Sequence, residues 1–228
     1  MSFKKVTHVI FDMDGLLIES ESAYDKVINE MAQPFGKTYT KDIRIKILGT
    51  PEIDTAKIAI REMQLPYTVD QFLDIYRGKV KAELQHPPLM PGIYLELVQH
   101  LHKHNIPIAV ATSSAQDSME LKTQDHQDLF KLFSHIVCGS TDPEVKHGKP
   151  APDIFLVCAS RFPDRPRPEQ CLVLEDAPNG AQGAITAGMQ AVLVPAPDVP
   201  EECRKPATIV LGSLREFKPG MFGLPEFD

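Results

Sequence analysis

The chain has 228 residues, of which 43% are hydrophobic and 24% charged, with 24 Lys+Arg against 31 Asp+Glu for a formal net charge of −7. These values suit a folded soluble protein and exclude a disordered chain, and the mildly acidic balance argues against nucleic acid or an anionic membrane as partner. No apolar run approaches the roughly 18 residues that span a bilayer.

The stretch after Met1-Ser2-Phe3-Lys4-Lys5 is short and ends at Asp12, so it is not a signal peptide, and a cytoplasmic protein is expected. The first strand-like run covers residues 6–11. From about Leu17 to Pro88 the pattern turns helical and strand-poor, with amphipathic candidates over 23–31, 53–63 and 69–84. Pro87-Pro88 and Pro91-Gly92 mark the return to strand–helix alternation. Leu95, Val98 and Leu101 then fall on one helical face, and strand-like runs follow at 106–111 and 135–138. A helix carrying Ile154, Phe155, Val157 and Cys158 starts near Pro152-Asp153, and a strand covers 171–174. Another helix, with Ala181, Ala184 and Ile185, opens at Pro178-Asn179 and closes at Gly188. Runs at 191–194 and 208–211 complete the series.

The strand-like runs are short and continuously apolar, which is the pattern of strands covered on both faces of a parallel sheet. The expected fold is therefore α/β, a doubly wound Rossmann-like sheet, with a small helical cap domain inserted after the first strand. The expected boundaries are 1–17 and 88–228 for the core and 18–87 for the cap. Cys138, Cys158, Cys171 and Cys203 are widely spaced with no Cys-x-x-Cys, so free thiols are expected. His100, His102 and His104 alternate along a predicted helix, a spacing that does not put all three on one face and gives no metal site.

Ligands of open α/β sheets sit beyond the carboxyl ends of the strands. Asp12-Met13-Asp14-Gly15 follows the first strand, and Thr112-Ser113-Ser114 follows the second. Lys149 comes in a loop after the third, and Glu175-Asp176 follows the fourth. Four acids, a hydroxyl cluster and one lysine suit a hard cation held by oxygens, with a phosphate between it and a positive charge. No Gly-x-x-x-x-Gly-Lys-Ser/Thr loop and no Gly-x-Ser-x-Gly occurs, which excludes P-loop NTPase and serine hydrolase readings.

Four segments in order carry a resemblance: 11–17 (FDMDGLL), 112–114 (TSS), 148–153 (GKPAPD) and 175–180 (EDAPNG). On these the chain is identified as a member of the haloacid dehalogenase (HAD) superfamily, in its phosphatase branch. The segments 89–92, 133–137, 142–145, 147–150 and 222–225 further resemble the subfamily of pseudouridine 5′-phosphatases and GS1-like proteins. The resemblance implies a Mg²⁺-dependent phosphomonoesterase acting on a small phosphorylated metabolite, with pseudouridine 5′-phosphate the leading substrate. Glycerol, polyol or sugar phosphates are the alternatives, as is a sugar phosphomutase of the same fold. A monomer is expected.

By the same resemblance Asp12 is the nucleophile, forming an aspartyl-phosphate, and Asp14 the general acid and base. Thr112 with the Ser113 N–H holds the phosphoryl oxygens, and Lys149 neutralises their charge. Asp12, Asp176 and the Asp14 carbonyl bind Mg²⁺, with Glu175 a weaker ligand. Asp14 favours phosphate esters, because the family's dehalogenases lack an acid there and its phosphonatases replace it. Gly49-Thr50-Pro51 lies where related caps dip toward the site, and Thr50 stands where the subfamily carries a lysine. Glu19-Ser20 replaces the common Asp-Thr or Asp-Ser and is expected to set the start of a cap helix. Arg44 and Lys46 read as solvated surface, and His147 also reads as bland, with contact to substrate its lesser alternative.

Overall fold

A computed structural model of the chain describes residues 3–90 and 94–227. The expected turn at Pro91-Gly92 and the side chain of Leu95 lie outside the described residues. The first apolar run forms β1 (His8–Phe11), and the helices α1 (Glu21–Ala32), α2 (Lys41–Ile47), α3 (Glu52–Met63) and α4 (Val69–Glu83) follow without an intervening strand. Alternation then begins with α5 (Tyr94–Lys103), β2 (Ile108–Thr112), α6 (Gln116–Thr123), α7 (Gln127–Phe130) and β3 (Ile136–Cys138). It continues through α8 (Asp153–Ser160), β4 (Cys171–Glu175), α9 (Pro178–Thr186), β5 (Gln190–Leu193), α10 (Glu201–Arg204) and β6 (Ile209–Val210).

The six strands pair in parallel in the order β3-β2-β1-β4-β5-β6. Successive side chains of a strand point to opposite faces. Val9 and Phe11 accordingly join the apolar layer with Leu97, Val98 and Leu101 of α5. Ile10 joins the opposite layer with Phe155 of α8 and Ala184 of α9. Both faces are thus covered, which accounts for the continuous apolar runs. The strand order reverses between β1 and β4, and the crevice at such a point opens at the strands' carboxyl ends.

The helices α1–α4 bury side chains such as Ile28, Met31, Phe72 and Tyr76 in a cluster of their own. Thr68 starts α4 with a capping box: its hydroxyl accepts from the Gln71 N–H (3.2 Å) and its own N–H donates to Gln71 Oε1 (3.0 Å). Gly188, at φ +83°, follows α9.

One departure from the sequence reading, the helix α6, has a physical cause. In α6 the apolar Met119 and Leu121 stand two apart, so no helical stripe marks it. His100 and His104, one turn apart, meet with tilted rings at a centroid distance of 4.5 Å, and only His102 of the three is turned out to solvent. His100 Nε2–H donates to the Pro225 carbonyl (3.0 Å). All four cysteines are free thiols. No helix among the described residues is long and apolar enough to cross a membrane.

Candidate active site

Register builds the centre of the site. Phe11 of β1 pairs with Leu174 of β4, and the Asp12 N–H donates to the Leu174 carbonyl (2.9 Å). Asp12 and Glu175 therefore leave the sheet side by side. Lys149 reaches them from the loop after β3, its Nζ donating to Asp12 Oδ1 (2.5 Å), Glu175 Oε1 (2.7 Å) and the Ala111 carbonyl (3.1 Å). It is 4% exposed. Asp12, Glu175 and Asp176 each offer a carboxylate oxygen, and these oxygens lie within 4.8 Å of one another. Glu175 also accepts from the Ala177 N–H (3.2 Å), and Gly180 packs so tightly on it that a Cβ would overlap its carboxylate. The Asp176 carboxylate accepts no hydrogen bond and makes no ion pair among the described residues.

Two buried acids thus share one buried ammonium, with a third buried acid, Asp176, beside them. Burial pushes the Asp12 carboxyl up to about 7, with Lys149 pulling it down and Glu175 and Asp14 pushing it further up. Asp176 is raised well above the carboxylate range by burial, then by Asp12 and Glu175. Burial opposes the Lys149 charge, yet Asp12 and Glu175 outweigh it and hold its pKa above the lysine range. The donor set, hard carboxylate oxygens with an excess of negative charge and one carboxylate without a partner, fits a divalent cation.

Asp14 stands beside this cluster in a different environment. Its Oδ1 accepts from Ser20 Oγ (2.6 Å), Tyr24 OH (3.2 Å) and Lys122 Nζ (2.6 Å). Its Oδ2 accepts from Thr112 Oγ1 (3.3 Å), Ser114 Oγ (2.9 Å) and Lys122 Nζ (2.7 Å). Burial alone would raise its pKa, but the Lys122 ammonium and the Ser20 and Ser114 hydroxyls hold it below the usual range. Ser20, read from the sequence only as part of a helix start, is thus fully buried against Asp14. Glu19 does cap the helix, accepting from Ser22 N–H (3.3 Å) and Oγ (2.7 Å).

The helical segment closes the crevice from above. The cavity is lined by Asp12, Asp14, Ser113, Ser114, Lys149 and Asp176 on the sheet side, and by Tyr24, Tyr39, Arg44, Gly49, Thr50 and Tyr76 on the helical side. The Gly49 carbonyl accepts from Ser113 Oγ (3.3 Å), a Cβ on Gly49 would meet Asn179 and Ala177, and Pro51 fills the space beside Gly148. Thr50 Oγ1 donates to the Ile47 carbonyl (2.6 Å) and contacts Thr55 Oγ1 (2.8 Å). Arg44 is not solvated surface: its side chain is 14% exposed and pairs with Asp25 (2.7 Å) on α1 and with Asp198 (3.3 Å) beyond β5. Lys46 does face solvent, paired to Glu62 (2.6 Å), and His147 is exposed, near Asp153 (3.3 Å). Thr112 is fully buried and does not line the cavity. Its hydroxyl accepts from the Ser114 N–H (3.1 Å) and donates to Asp14.

A family model described as haloacid dehalogenase-like hydrolase matches residues 6–188. The chain belongs to this family. It is 46% identical over 224 residues to "Probable pseudouridine-5'-phosphatase" of Drosophila melanogaster, covering 98% of this chain and 96% of the fly protein. It is 41% identical over 226 residues to (DL)-glycerol-3-phosphatase 2 of Arabidopsis thaliana, covering 98% and 93%. CbbY from Rhodobacter sphaeroides, solved with phosphate, shares the fold at a TM-score of 0.75 and 24% identity over 92% of this chain and 96% of that one. The protein is an enzyme of this hydrolase family, a phosphatase.

Most of the residues expected at the site line this one crevice: Asp12 and Asp14 after β1, Ser113 after β2, Lys149 from the loop after β3, and Glu175 and Asp176 at the end of β4, with Thr112 buried behind them against Asp14. Two further polar contacts of Asp14, Tyr24 and Lys122, had no sequence signal. Lys122 lies in a polar helix, where a lysine ordinarily reads as surface.

Proposed function

We propose that the protein is a Mg²⁺-dependent phosphomonoesterase that works through an aspartyl-phosphate on Asp12, with residues 18–87 as its cap. The observation that carries this reading is the trio Asp12, Glu175 and Asp176 around a single buried lysine, with Asp14 beside it. Asp12, Asp176 and the Asp14 carbonyl would hold the cation. Glu175, already bonded to Lys149 and the Ala177 N–H, serves chiefly to fix Lys149. When bound, Mg²⁺ supplies positive charge to the phosphoryl oxygens and to the carboxylates around them.

The chain's own groups do the rest. A carboxylate oxygen of Asp12 attacks phosphorus as the ester P–O bond breaks. Asp14 acts as the acid only in its protonated form, which Lys122 opposes in the resting site; it gives that proton to the leaving alkoxide and recovers one from the water that attacks the phosphorus of the aspartyl-phosphate and releases inorganic phosphate. Lys149 offsets charge on the nucleophile and the transferring oxygens. Thr112 and the Ser113 N–H hold those oxygens, Thr112 by exchanging its bond to Asp14 for one to phosphate. Gly49, Thr50 and Pro51, seated between the segments 112–114, 148–153 and 175–180, close the crevice and filter the leaving group.

Pseudouridine 5′-phosphate is the leading substrate, on the likeness to the fly protein. A glycerol or other polyol phosphate is the second reading, on the likeness to the plant phosphatase. The test is phosphate release in Mg²⁺ from pseudouridine 5′-phosphate, uridine 5′-phosphate, glycerol phosphates and hexose phosphates. Preference for pseudouridine 5′-phosphate over uridine 5′-phosphate is the expected result, with loss of turnover in Asp12→Asn and in excess chelator. A polyol-centred profile selects the second substrate. Isomerised sugar phosphate without free phosphate would instead make the enzyme a mutase, and full activity in Asp12→Asn would refute the mechanism.

A further inference from the structure

Lys122 is 0% exposed, an unusual position for an ammonium group. Its helix gives no reason to bury it, since Gln116, Asp117 and Glu120 of α6 are exposed. The burial is explained by what Nζ touches: Asp14 Oδ1 (2.6 Å) and Oδ2 (2.7 Å), Ser114 Oγ (2.7 Å) and Tyr24 OH (3.1 Å). These partners come from three parts of the chain. Asp14 follows β1, Ser114 follows β2, and Tyr24 lies on the first helix of the inserted segment.

We propose that Lys122 is a positioning residue for Asp14, tying the acid–base carboxylate to the hinge between the helical segment and the sheet. The proposal rests on the phosphatase reading. An ammonium bonded to both oxygens fixes the plane of the carboxylate, which a set of hydroxyls that can each rotate does not. Oδ1 also takes Ser20 and Tyr24, which enter or belong to α1, whereas Oδ2 takes Thr112 and Ser114 from the end of β2. A shift of α1 therefore removes two donors from Oδ1 alone and opens a place beside that oxygen for the leaving group, while Lys122, bonded to both oxygens, keeps the carboxylate in place. Without Lys122 the carboxylate loses the donor that bridges both its oxygens and is held by hydroxyls alone, and proton delivery weakens although the nucleophile, Lys149 and the metal ligands remain. Acid–base groups of this kind contribute roughly 10²–10⁴-fold.

The dependence on leaving group separates positioning from general damage. Glycerol phosphate releases an alkoxide that must be protonated, whereas p-nitrophenyl phosphate releases a phenolate that leaves without a proton. Lys122→Met should lower kcat/KM on glycerol phosphate by about 10²-fold or more and on p-nitrophenyl phosphate by less than about tenfold, the pattern also expected of Asp14→Asn. In the double variant Asp14→Asn/Lys122→Met the lysine has no carboxylate to position, so the losses should not multiply: its rates should stay within about threefold of Asp14→Asn. This pair also answers the case in which Lys122→Met alone fails to fold around an unpaired buried carboxylate. Equal losses on the two esters, or losses that multiply in the double variant, would overturn the proposal. The wild-type control separates it from the reading beneath it. No phosphate release from p-nitrophenyl phosphate by the wild type, or undiminished release by Asp12→Asn, sinks the phosphatase mechanism itself.

Discussion

Lys149→Met probes the centre of the site most directly. The ammonium is buried between Asp12 (2.5 Å) and Glu175 (2.7 Å), and methionine keeps much of the side-chain volume, so the change removes charge with little new cavity. Two buried carboxylates then lose their only shared cation, beside an Asp176 that has none. Removing one partner of a buried pair costs about 3–5 kcal/mol, a large part of the roughly 5–15 kcal/mol that holds a domain folded. Two additions should restore stability. Glu175→Gln in the same chain removes one stranded charge. Mg²⁺ at about 100 times its Kd stabilises the folded state by ~2.7 kcal/mol, if the trio binds the cation. Urea denaturation followed by circular dichroism, with chelator and then with Mg²⁺, measures all three quantities, and phosphate release should be absent from Lys149→Met even where it is folded. A loss under about 1 kcal/mol, or one that neither Glu175→Gln nor Mg²⁺ reduces, would refute the account of two acids sharing one lysine beside a third.

Gly49→Ala should cost more than Gly36→Ala. Both glycines have positive φ (+70° and +63°), but a Cβ on Gly49 meets Asn179 and Ala177 whereas one on Gly36 meets nothing. Backbone strain of about 1–2 kcal/mol is common to both, and Gly49→Ala adds about 1–3 kcal/mol of overpacking with a raised KM as the loop lifts; equal costs and unchanged KM would contradict the seating of this loop. A pH test falls on Glu21, whose carboxyl is pushed by burial and then by Asp14 from 4.5 up to about 8 against the pull of Arg44. Its folded pKa lies above its unfolded one, so the folded state binds the extra proton and stability is lost as pH rises between those values. Metal-free Glu21→Gln should therefore show a flatter decline in stability from pH 5 to pH 8 than the wild type, and parallel declines would count against it.

Much of this was legible in the chain itself. Short apolar runs identify buried parallel strands, because a strand covered on both faces has no polar side to show. Asp12, Asp14, Lys149, Glu175 and Asp176 could be picked out because each follows a strand end or the loop after one, and strand ends of an α/β sheet converge on one edge. The run of helices α1–α4 was likewise visible as a gap in the alternation. What the chain could not disclose is which polar side chains become buried, and against what. Arg44 and Lys46, two residues apart on one helix, read alike from sequence. Only packing against α1 and the segment beyond β5 turns Arg44 into a bridge at the cavity, while Lys46 stays in solvent. Thr112 was assigned to phosphate by the family resemblance, and only the fold discloses that its hydroxyl donates to Asp14. Lys122 is the clearest case. Its α6 neighbours are polar and its spacing carries no pattern, and its burial is set by a carboxylate 108 residues earlier in the chain. A hydrophobic period is a property of neighbours in sequence, whereas the partner that makes a buried charge tolerable is supplied by tertiary structure alone.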